Sequence, residues 1–177
     1  NAIVERKGVR TALVTTRGFR DVYEIGRINR PESFNLFFKK HQPLVPRNLR
    51  FEVSERMSAS GEVLVPFDEE GAAALARRLP ELGIEAVAVL FLHSYRNPEH
   101  EARMRRVLEK AAPHLFISAS HEVSNEYREY ERTSTVVANA YVGPLVRSYL
   151  SDLERDTAAA GLEPQILLMQ SNGGLYD

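Results

Sequence analysis

The hydrophobic positions of the chain follow two patterns that alternate along its length. Short apolar runs of strand length are followed by longer segments in which apolar residues recur every three or four positions, the spacing of one helix face. The predicted strands are residues 9–16, 86–92, 115–120 and 165–169. The predicted helices are residues 68–80, 98–112 and 124–160. This alternation predicts an α/β fold with a mostly parallel sheet flanked by helices.

Residues 21–66 interrupt the alternation with an irregular stretch that is rich in proline and phenylalanine. Polar and apolar residues alternate over 50–57, and after a serine- and glycine-containing turn the chain returns over 62–66, which predicts a β-hairpin. We therefore expect a central α/β domain made of residues 1–20 and 67–177. Residues 21–66 are expected to form a small irregular excursion that contains the hairpin.

Capping and breaking residues predict where the helices end. Residues 1–7 have the pattern of the last turns of a helix, with Gly8 as its C′ residue. Asp68 and Ser124 are predicted N-caps of two later helices. Because Pro144 has no amide hydrogen, the long helix is expected either to kink there or to divide into two helices.

Composition narrows the class of function. The 177 residues include 27% charged and 44% hydrophobic side chains, with a net charge of −1. Mixed charges argue against nucleic-acid binding, and no apolar run or leader pattern predicts a membrane segment or secretion, so we expect a cytoplasmic protein. The absence of cysteine excludes disulfides, thiolate nucleophiles and cysteine-ligated zinc. Because the chain starts at Asn1 rather than at Met, we expect it to be an internal fragment of a longer chain.

Candidate chemistry lies where the predicted strands end, since ligands of open parallel sheets bind outside the carboxyl ends of the strands. Four segments qualify: residues 15–18, 93–96, 120–122 and 170–174. If the four strands are parallel neighbours, these segments meet at one edge of the sheet.

The last of these segments contains Ser171, Asn172, Gly173 and Gly174. Adjacent glycines allow backbone amides to face an anion, and the two polar side chains add further contacts. A tight turn into the next element explains the same residues. The sequence contains neither a Walker-type loop nor a dinucleotide fingerprint.

Two histidines directly follow predicted strands. His93 and His121, with Glu122 or His100, have the chemistry to ligate a metal or to transfer protons. The alternative is a histidine at a strand end that is hydrogen-bonded to the backbone. His100 is expected in the first turn of a helix, pointing to solvent.

Glu129 and Arg132 are three residues apart and share one face of the long helix. They are either a fixed ion pair in a cleft or an ordinary pair on the helix surface, which contributes only a few tenths of a kcal/mol. Spacing alone does not separate the two, and no residue is assigned to a metal.

Several longer stretches resemble signatures of the hydantoinase A/5-oxoprolinase family, in the family's order and over nearly the whole chain. They resemble N-methylhydantoinase A-like members and the related acetone carboxylase β-type subunits. The matching stretches are residues 11–21 (TALVTTRGFRD), 91–98 (FLHSYRNP), 120–124 (SHEVS), 128–135 (REYERTST), 139–142 (NAYV) and 169–175 (MQSNGGL).

The resemblance implies an ATP-dependent enzyme subunit with an actin/hexokinase-like (ribonuclease H-like) nucleotide-binding fold. Members of the family open small cyclic amides such as hydantoins or 5-oxoproline, with Mg²⁺ as the implied ion and a hydantoinase B-type subunit as the implied partner. The family's phosphate hairpin would precede Asn1 and its second glycine-rich motif would follow Asp177. We therefore expect this fragment neither to bind ATP tightly nor to turn over alone.

The resemblance also implies residue roles. The residues expected to face the nucleotide and its phosphates are Ser171, Asn172, Gly173 and Gly174. Arg132 is expected to contact an anion, with Glu129 as its orienting partner, and His93 and His121 are expected on the substrate side. Two alternatives stay open: an ATP-dependent carboxylase subunit for acetone or acetophenone, and a non-catalytic scaffold whose residues 31–57 dock a B-type subunit.

Overall fold

The computed structural model of the chain describes residues 2–27, 34–38, 41–162, 167–169 and 175–176. The strands are β1 (Thr11–Thr16), β2 (Arg50–Val53), β3 (Arg56–Met57), β4 (Val63–Val65), β5 (Ala86–Leu90), β6 (Phe116–Ala119), β7 (Leu168–Met169) and β8 (Leu175–Tyr176). The helices are α1 (Val22–Ile25), α2 (Glu69–Glu81), α3 (Glu99–Ala111), α4 (Ser120–Val123) and α5 (Glu129–Ala159). A 3₁₀ turn, Arg47–Leu49, leads into β2.

Four parallel strands form the main sheet, in the order β2–β1–β5–β6. Leu13 of β1 lies opposite Arg50 of β2 on one side and Ala88 of β5 on the other, and Ala88 lies opposite Ser118 of β6. The two central strands, β1 and β5, are buried along their whole length. Burial on both faces explains their almost continuously apolar sequences. The predicted parallel sheet is therefore confirmed.

Helices α2, α3 and the first part of α5 share one hydrophobic core with this sheet. Asp68 caps α2 as predicted, because its Oδ1 accepts a hydrogen bond from the Gly71 amide at 3.0 Å. The core residues that the three helices contribute include Ala72, Ala76, Leu79, Met104, Leu108, Val136, Val137 and Ala140. Burying such side chains supplies the main driving force for packing helices on the sheet.

The segment predicted as the first strand of a hairpin divides into two. Arg50–Val53 is β2, the edge strand of the main sheet, and only Arg56–Met57 pairs antiparallel with Val63–Val65. Alternation with period two is common to both kinds of strand, so the pattern did not separate them. The division of the chain into a central domain and an excursion stays a prediction.

The expected helix ends are wrong at two positions. The described residues before Gly8 form turns rather than a helix, and Gly8 has no left-handed backbone. A side chain there would overlap the ring of Tyr141, whose carbonyl accepts a hydrogen bond from Val9, so close approach explains the glycine. Ser124 does not cap α5, which begins at Glu129.

Helix α5 continues as one helix through Pro144. The chain forms two compact units, Asn1–Val142 and Gly143–Asp177. The first contains the main sheet, α2, α3 and the start of α5. Among the residues described here, no helix is apolar enough over a sufficient length to span a membrane.

The second unit contains the rest of α5 and a separate two-stranded sheet. In it, β7 pairs antiparallel with β8, with Leu168 opposite Tyr176. The expectation that this strand joins the parallel sheet is wrong for the described residues. Only five residues, 170–174, connect β7 to β8. Such a short connection suits antiparallel pairing, whereas a parallel crossover needs a dozen or more residues.

Candidate functional site

The segments that follow β1, β5 and β6 meet at the carboxyl edge of the main sheet, as predicted for three of the four segments. The Leu92 amide donates to Thr16 Oγ1 at 3.0 Å, and the Ser94 and Ser120 hydroxyl oxygens are 3.0 Å apart. The fourth segment, with Ser171, Asn172, Gly173 and Gly174, lies outside the described residues. Its proposed nucleotide contacts therefore stay a prediction.

Glu101 of α3 bonds residues at the ends of both β5 and β6 on this edge. Its carboxylate is fully buried and accepts from the Phe91 amide at 2.8 Å and from Ser120 Oγ at 2.6 Å. The second carboxylate oxygen accepts from the His121 amide at 2.9 Å and lies 2.8 Å from His121 Nδ1. The hydrogen bond to Glu101 raises the pKa of His121. Glu101 thus fixes the ends of β5 and β6 relative to each other.

Glu55 is a second buried carboxylate at the same edge. It accepts a short hydrogen bond from the Thr16 hydroxyl and lies 2.8 Å from His100 Nδ1. Burial raises the pKa of Glu55. The expectation that His100 points to solvent is wrong: its ring is only 2% exposed and packs against Phe67.

The Arg132 guanidinium is fully buried rather than exposed to a ligand. It donates to the Phe91 carbonyl at 2.8 Å and to the Glu126 carbonyl at 2.9 Å, and its Cζ lies 5.4 Å from the centre of the Tyr95 ring. Among the described residues it forms no ion pair, with Glu129 or otherwise, and its Nε has no hydrogen-bond partner. Desolvation lowers the pKa of Arg132, while the nearby Glu101 and Glu129 charges oppose that shift.

His93 stands on a turn that these buried groups hold in place. The backbone of the two preceding residues, Phe91 and Leu92, is bonded to Glu101, Arg132 and Thr16. His93 itself has a φ of 59°, in the left-handed region that non-glycine residues seldom adopt. Its Nδ1 lies 3.4 Å from the Tyr95 hydroxyl. Backbone strain held by surrounding structure is a feature of functional sites.

An open cleft of about 440 Å³ lies beside this turn. His93 and Leu92 form part of its lining, and residues 127–131, which include the first turn of α5, form another part. His93 and Glu129 are therefore brought to one cavity, whereas Arg132 and His121 do not line it. Arg132 instead connects the residues that directly precede two parts of the lining, because it bonds the Phe91 carbonyl and the Glu126 carbonyl at once.

Three arginines also line the cleft, and sequence reasoning did not single them out: Arg27, Arg56 and Arg128. Arg128 lies in the family-like REYERTST stretch, and this membership is the sequence feature that could have identified it as a site residue. Arg56 lies 73 residues before Glu129, so only the fold places the two side chains in one cleft.

The cleft has the groups for proton transfer and for binding an anion. His93 supplies an imidazole, the group that most often transfers protons in enzymes, and Glu129 supplies a carboxylate. In the part of the chain that the structure describes, no three His, Asp or Glu side chains are grouped closely enough to hold a metal ion.

Comparison with known proteins places the chain in a family. The model of the hydantoinase/oxoprolinase N-terminal region matches residues 1–112, and the hydantoinase/oxoprolinase model matches residues 132–177. The chain therefore belongs to the hydantoinase/oxoprolinase family, as its sequence stretches predicted.

Three curated relatives show how much of a family member the chain covers. Over 93% of its own residues, this chain is 43% identical to an uncharacterised protein of Methanocaldococcus jannaschii. Over 99% of its own residues, it is 36% identical to caprolactamase subunit alpha of Pseudomonas jessenii. It is 34% identical to 5-oxoprolinase 1 of Arabidopsis thaliana over 99%. These matches span 24%, 25% and 15% of the three relatives, so the chain corresponds to a quarter or less of their length.

Two solved structures share the fold. The ATP-dependent caprolactamase from Pseudomonas jessenii matches with a TM-score of 0.90 and 35% identity, over 99% of this chain and 26% of that one. A nucleotide-free acetone carboxylase matches with a TM-score of 0.85 and 29% identity, again over 99% of this chain and 26% of that one. The fold class is thereby confirmed as part of an actin-like ATPase-type α/β fold.

Proposed function

We propose that the chain is part of an ATP-dependent enzyme subunit that opens cyclic amides by hydrolysis coupled to ATP cleavage, of the N-methylhydantoinase/5-oxoprolinase type. The observation that supports this most strongly is the likeness to ATP-dependent caprolactamase over 99% of the chain, at a TM-score of 0.90. The intact enzyme would act on a small cyclic amide in the cytoplasm, and the isolated 177-residue chain would be inactive.

ATP and Mg²⁺ belong to the proposal for the intact enzyme. Ser171, Asn172, Gly173 and Gly174 are the residues we propose to face the nucleotide, where backbone amides suit phosphate oxygens. ATP would supply a phosphoryl group that makes the amide carbonyl a better electrophile. No described residue is assigned to Mg²⁺.

Within this function, we assign the described cleft to the substrate side. His93 would move a proton at its ring nitrogen, and Glu129 would hold or accept one at its carboxylate. Arg132 would act as a positioning residue, because it holds the Phe91 and Glu126 carbonyls that flank the cleft rather than reaching a ligand. His121, bonded to buried Glu101, would steady the same edge of the sheet.

A second candidate is an ATP-dependent ketone carboxylase subunit of the acetone or acetophenone type. The acetone carboxylase structure favours it, with a TM-score of 0.85. The chain is also 32% identical to the acetophenone carboxylase gamma subunit of Aromatoleum aromaticum. The lower identity to the acetone carboxylase structure than to caprolactamase, 29% against 35%, makes it the second choice.

A third candidate is a non-catalytic scaffold that docks a hydantoinase B-type subunit. Phe34, Leu36 and Phe37 are 99%, 89% and 90% exposed, which suits a partner surface. Several relatives are named as subunits, which supports a partner of some kind. Gel filtration of the chain with and without a B-type subunit, repeated with Phe37→Ser, tests docking directly.

The decisive experiment uses the intact subunit with its B-type partner and MgATP. Product and ADP are measured for ε-caprolactam, 5-oxoproline and N-methylhydantoin, and in parallel for acetone and acetophenone with bicarbonate. We expect ring-opened product in step with ADP from at least one cyclic amide. Carboxylated product from a ketone, with no ring opening, would replace the first candidate by the second. If neither the cyclic amides nor the ketones give product coupled to ADP formation, both candidates are contradicted.

A further inference from the structure

The cleft beside His93 contains two arginines that form no ion pair with a carboxylate among the described residues, although the Tyr127 hydroxyl and the nearby Glu131 and Glu126 charges raise the pKa of one of them, Arg128. Of its three arginines, Arg27 is paired with Glu131, with Nε and Oε1 2.6 Å apart. Among the described residues, neither Arg56 nor Arg128 lies within ion-pair distance of an acidic side chain. Both line the same cavity, so two cationic groups face a space large enough for a small ligand.

Aromatic rings support these two guanidinium groups. Arg56 Cζ lies 4.6 Å from the centre of the Phe19 ring, and Arg128 Cζ lies 5.5 Å from the centre of the Tyr127 ring. Arg128 Nε also donates to the Tyr127 hydroxyl at 3.0 Å. Stacking on a ring orients a guanidinium without neutralising it, which leaves its remaining N–H groups for a ligand.

We propose that Arg56 and Arg128 form an oxyanion-binding site that accepts the carboxylate or phosphate oxygens of a ligand in this cleft. The planar fork of N–H groups on arginine matches a pair of such oxygens. Glu129 lines the same cleft and opposes an anion, and so do the Glu126 and Glu131 charges near Arg128, although Glu131 is itself paired with Arg27. The identity of the ligand rests on the proposed function: the anion is either a carboxylate on a cyclic amide or a phosphate.

Titration calorimetry on the intact subunit separates these sources. The probes are 5-oxoproline, 2-pyrrolidinone (the same ring without the carboxylate) and inorganic phosphate. The variants are Arg56→Gln and Arg128→Gln, with Arg105→Gln as the control, since Arg105 is paired with Glu109 and Glu122. We expect the Kd of an anionic probe to rise about 10- to 100-fold in both cleft variants, from the loss of a charge-assisted hydrogen bond, and to stay unchanged in the control.

Each outcome decides the matter. A loss limited to 5-oxoproline assigns the site to a substrate carboxylate, and a loss limited to phosphate assigns it to a phosphoryl group. The site is overturned if neither anionic probe binds the wild type, or if their Kd values change less than about threefold in both variants. It is also overturned if the affinity for 2-pyrrolidinone, which has no carboxylate, falls as much as that for the anionic probes. ATP-coupled opening of a neutral cyclic amide would leave the proposed function standing even then.

Discussion

Glu101→Gln removes a charge from the carboxyl edge of the sheet while keeping the shape of the side chain. Each carboxylate oxygen of Glu101 accepts two hydrogen bonds: one from Phe91 and Ser120, the other from the amide and ring of His121. Whichever way the new amide turns, its NH₂ group faces one backbone N–H, that of Phe91 or that of His121, so at least this hydrogen bond is lost. The Ser120 hydroxyl or the His121 ring can instead accept from the NH₂ group. At about 1.5–3 kcal/mol for a bond to a charged group, the loss is at least about 1.5–3 kcal/mol.

Urea denaturation followed by circular dichroism measures this loss at neutral pH. The matched control is Glu109→Gln on the same helix, whose exposed ion pair with Arg105 has an Nε–Oε1 distance of 2.9 Å. Such a pair contributes only about 0.3–0.5 kcal/mol. A loss below about 1 kcal/mol for Glu101→Gln would refute the inference that Glu101 fixes the strand ends, since a single ordinary hydrogen bond contributes that much.

Three further changes test local features. Gly8→Ala should destabilise the chain by about 1–3 kcal/mol in urea, because the new methyl overlaps the Tyr141 ring; an undiminished loss in a Tyr141→Ala background would contradict this. Asp68→Ala should cost about 1 kcal/mol in thermal melts by uncapping α2, and an unchanged Tm would argue against the cap. The hydrogen bond to Glu101 raises the pKa of His121 above its ordinary value of 6.5. The stabilisation of the folded state by this pair is therefore complete below pH 6.5 and is lost as the pH rises through the folded-state pKa of His121. The stability gap between wild type and His121→Gln should therefore be larger at pH 6 than at pH 9, and an equal gap would exclude the linkage.

The sequence was sufficient for the central strands and for the order of helices. β1 and β5 are buried on both faces, so their composition alone identifies them. The alternating pattern predicts a hairpin strand over Arg50–Val53, whereas these residues form β2 at the edge of the main sheet, because both kinds of strand share that pattern. Local patterns carry no information about which strand is the neighbour.

Site residues were harder to predict because their partners are distant in sequence. The resemblance implies an anion contact for Arg132, but its guanidinium bonds the Phe91 carbonyl, 41 residues away in the sequence. The helix pattern predicts an exposed His100, but its ring pairs with Glu55, 45 residues away. Helical spacing shows which residues share a face and not what that face meets, so these burials followed only from the fold.

The most direct test of the account is the rate of ATP-coupled ring opening by His93→Asn in the intact subunit with its B-type partner. Asparagine tolerates the left-handed backbone of this turn, so the change removes the imidazole and keeps the fold. His114→Asn, at an exposed position away from the cleft lining, is the control. The account predicts a rate about 10²–10⁴ times lower for His93→Asn and an unchanged rate for the control. A His93→Asn rate equal to that of the wild type would contradict it.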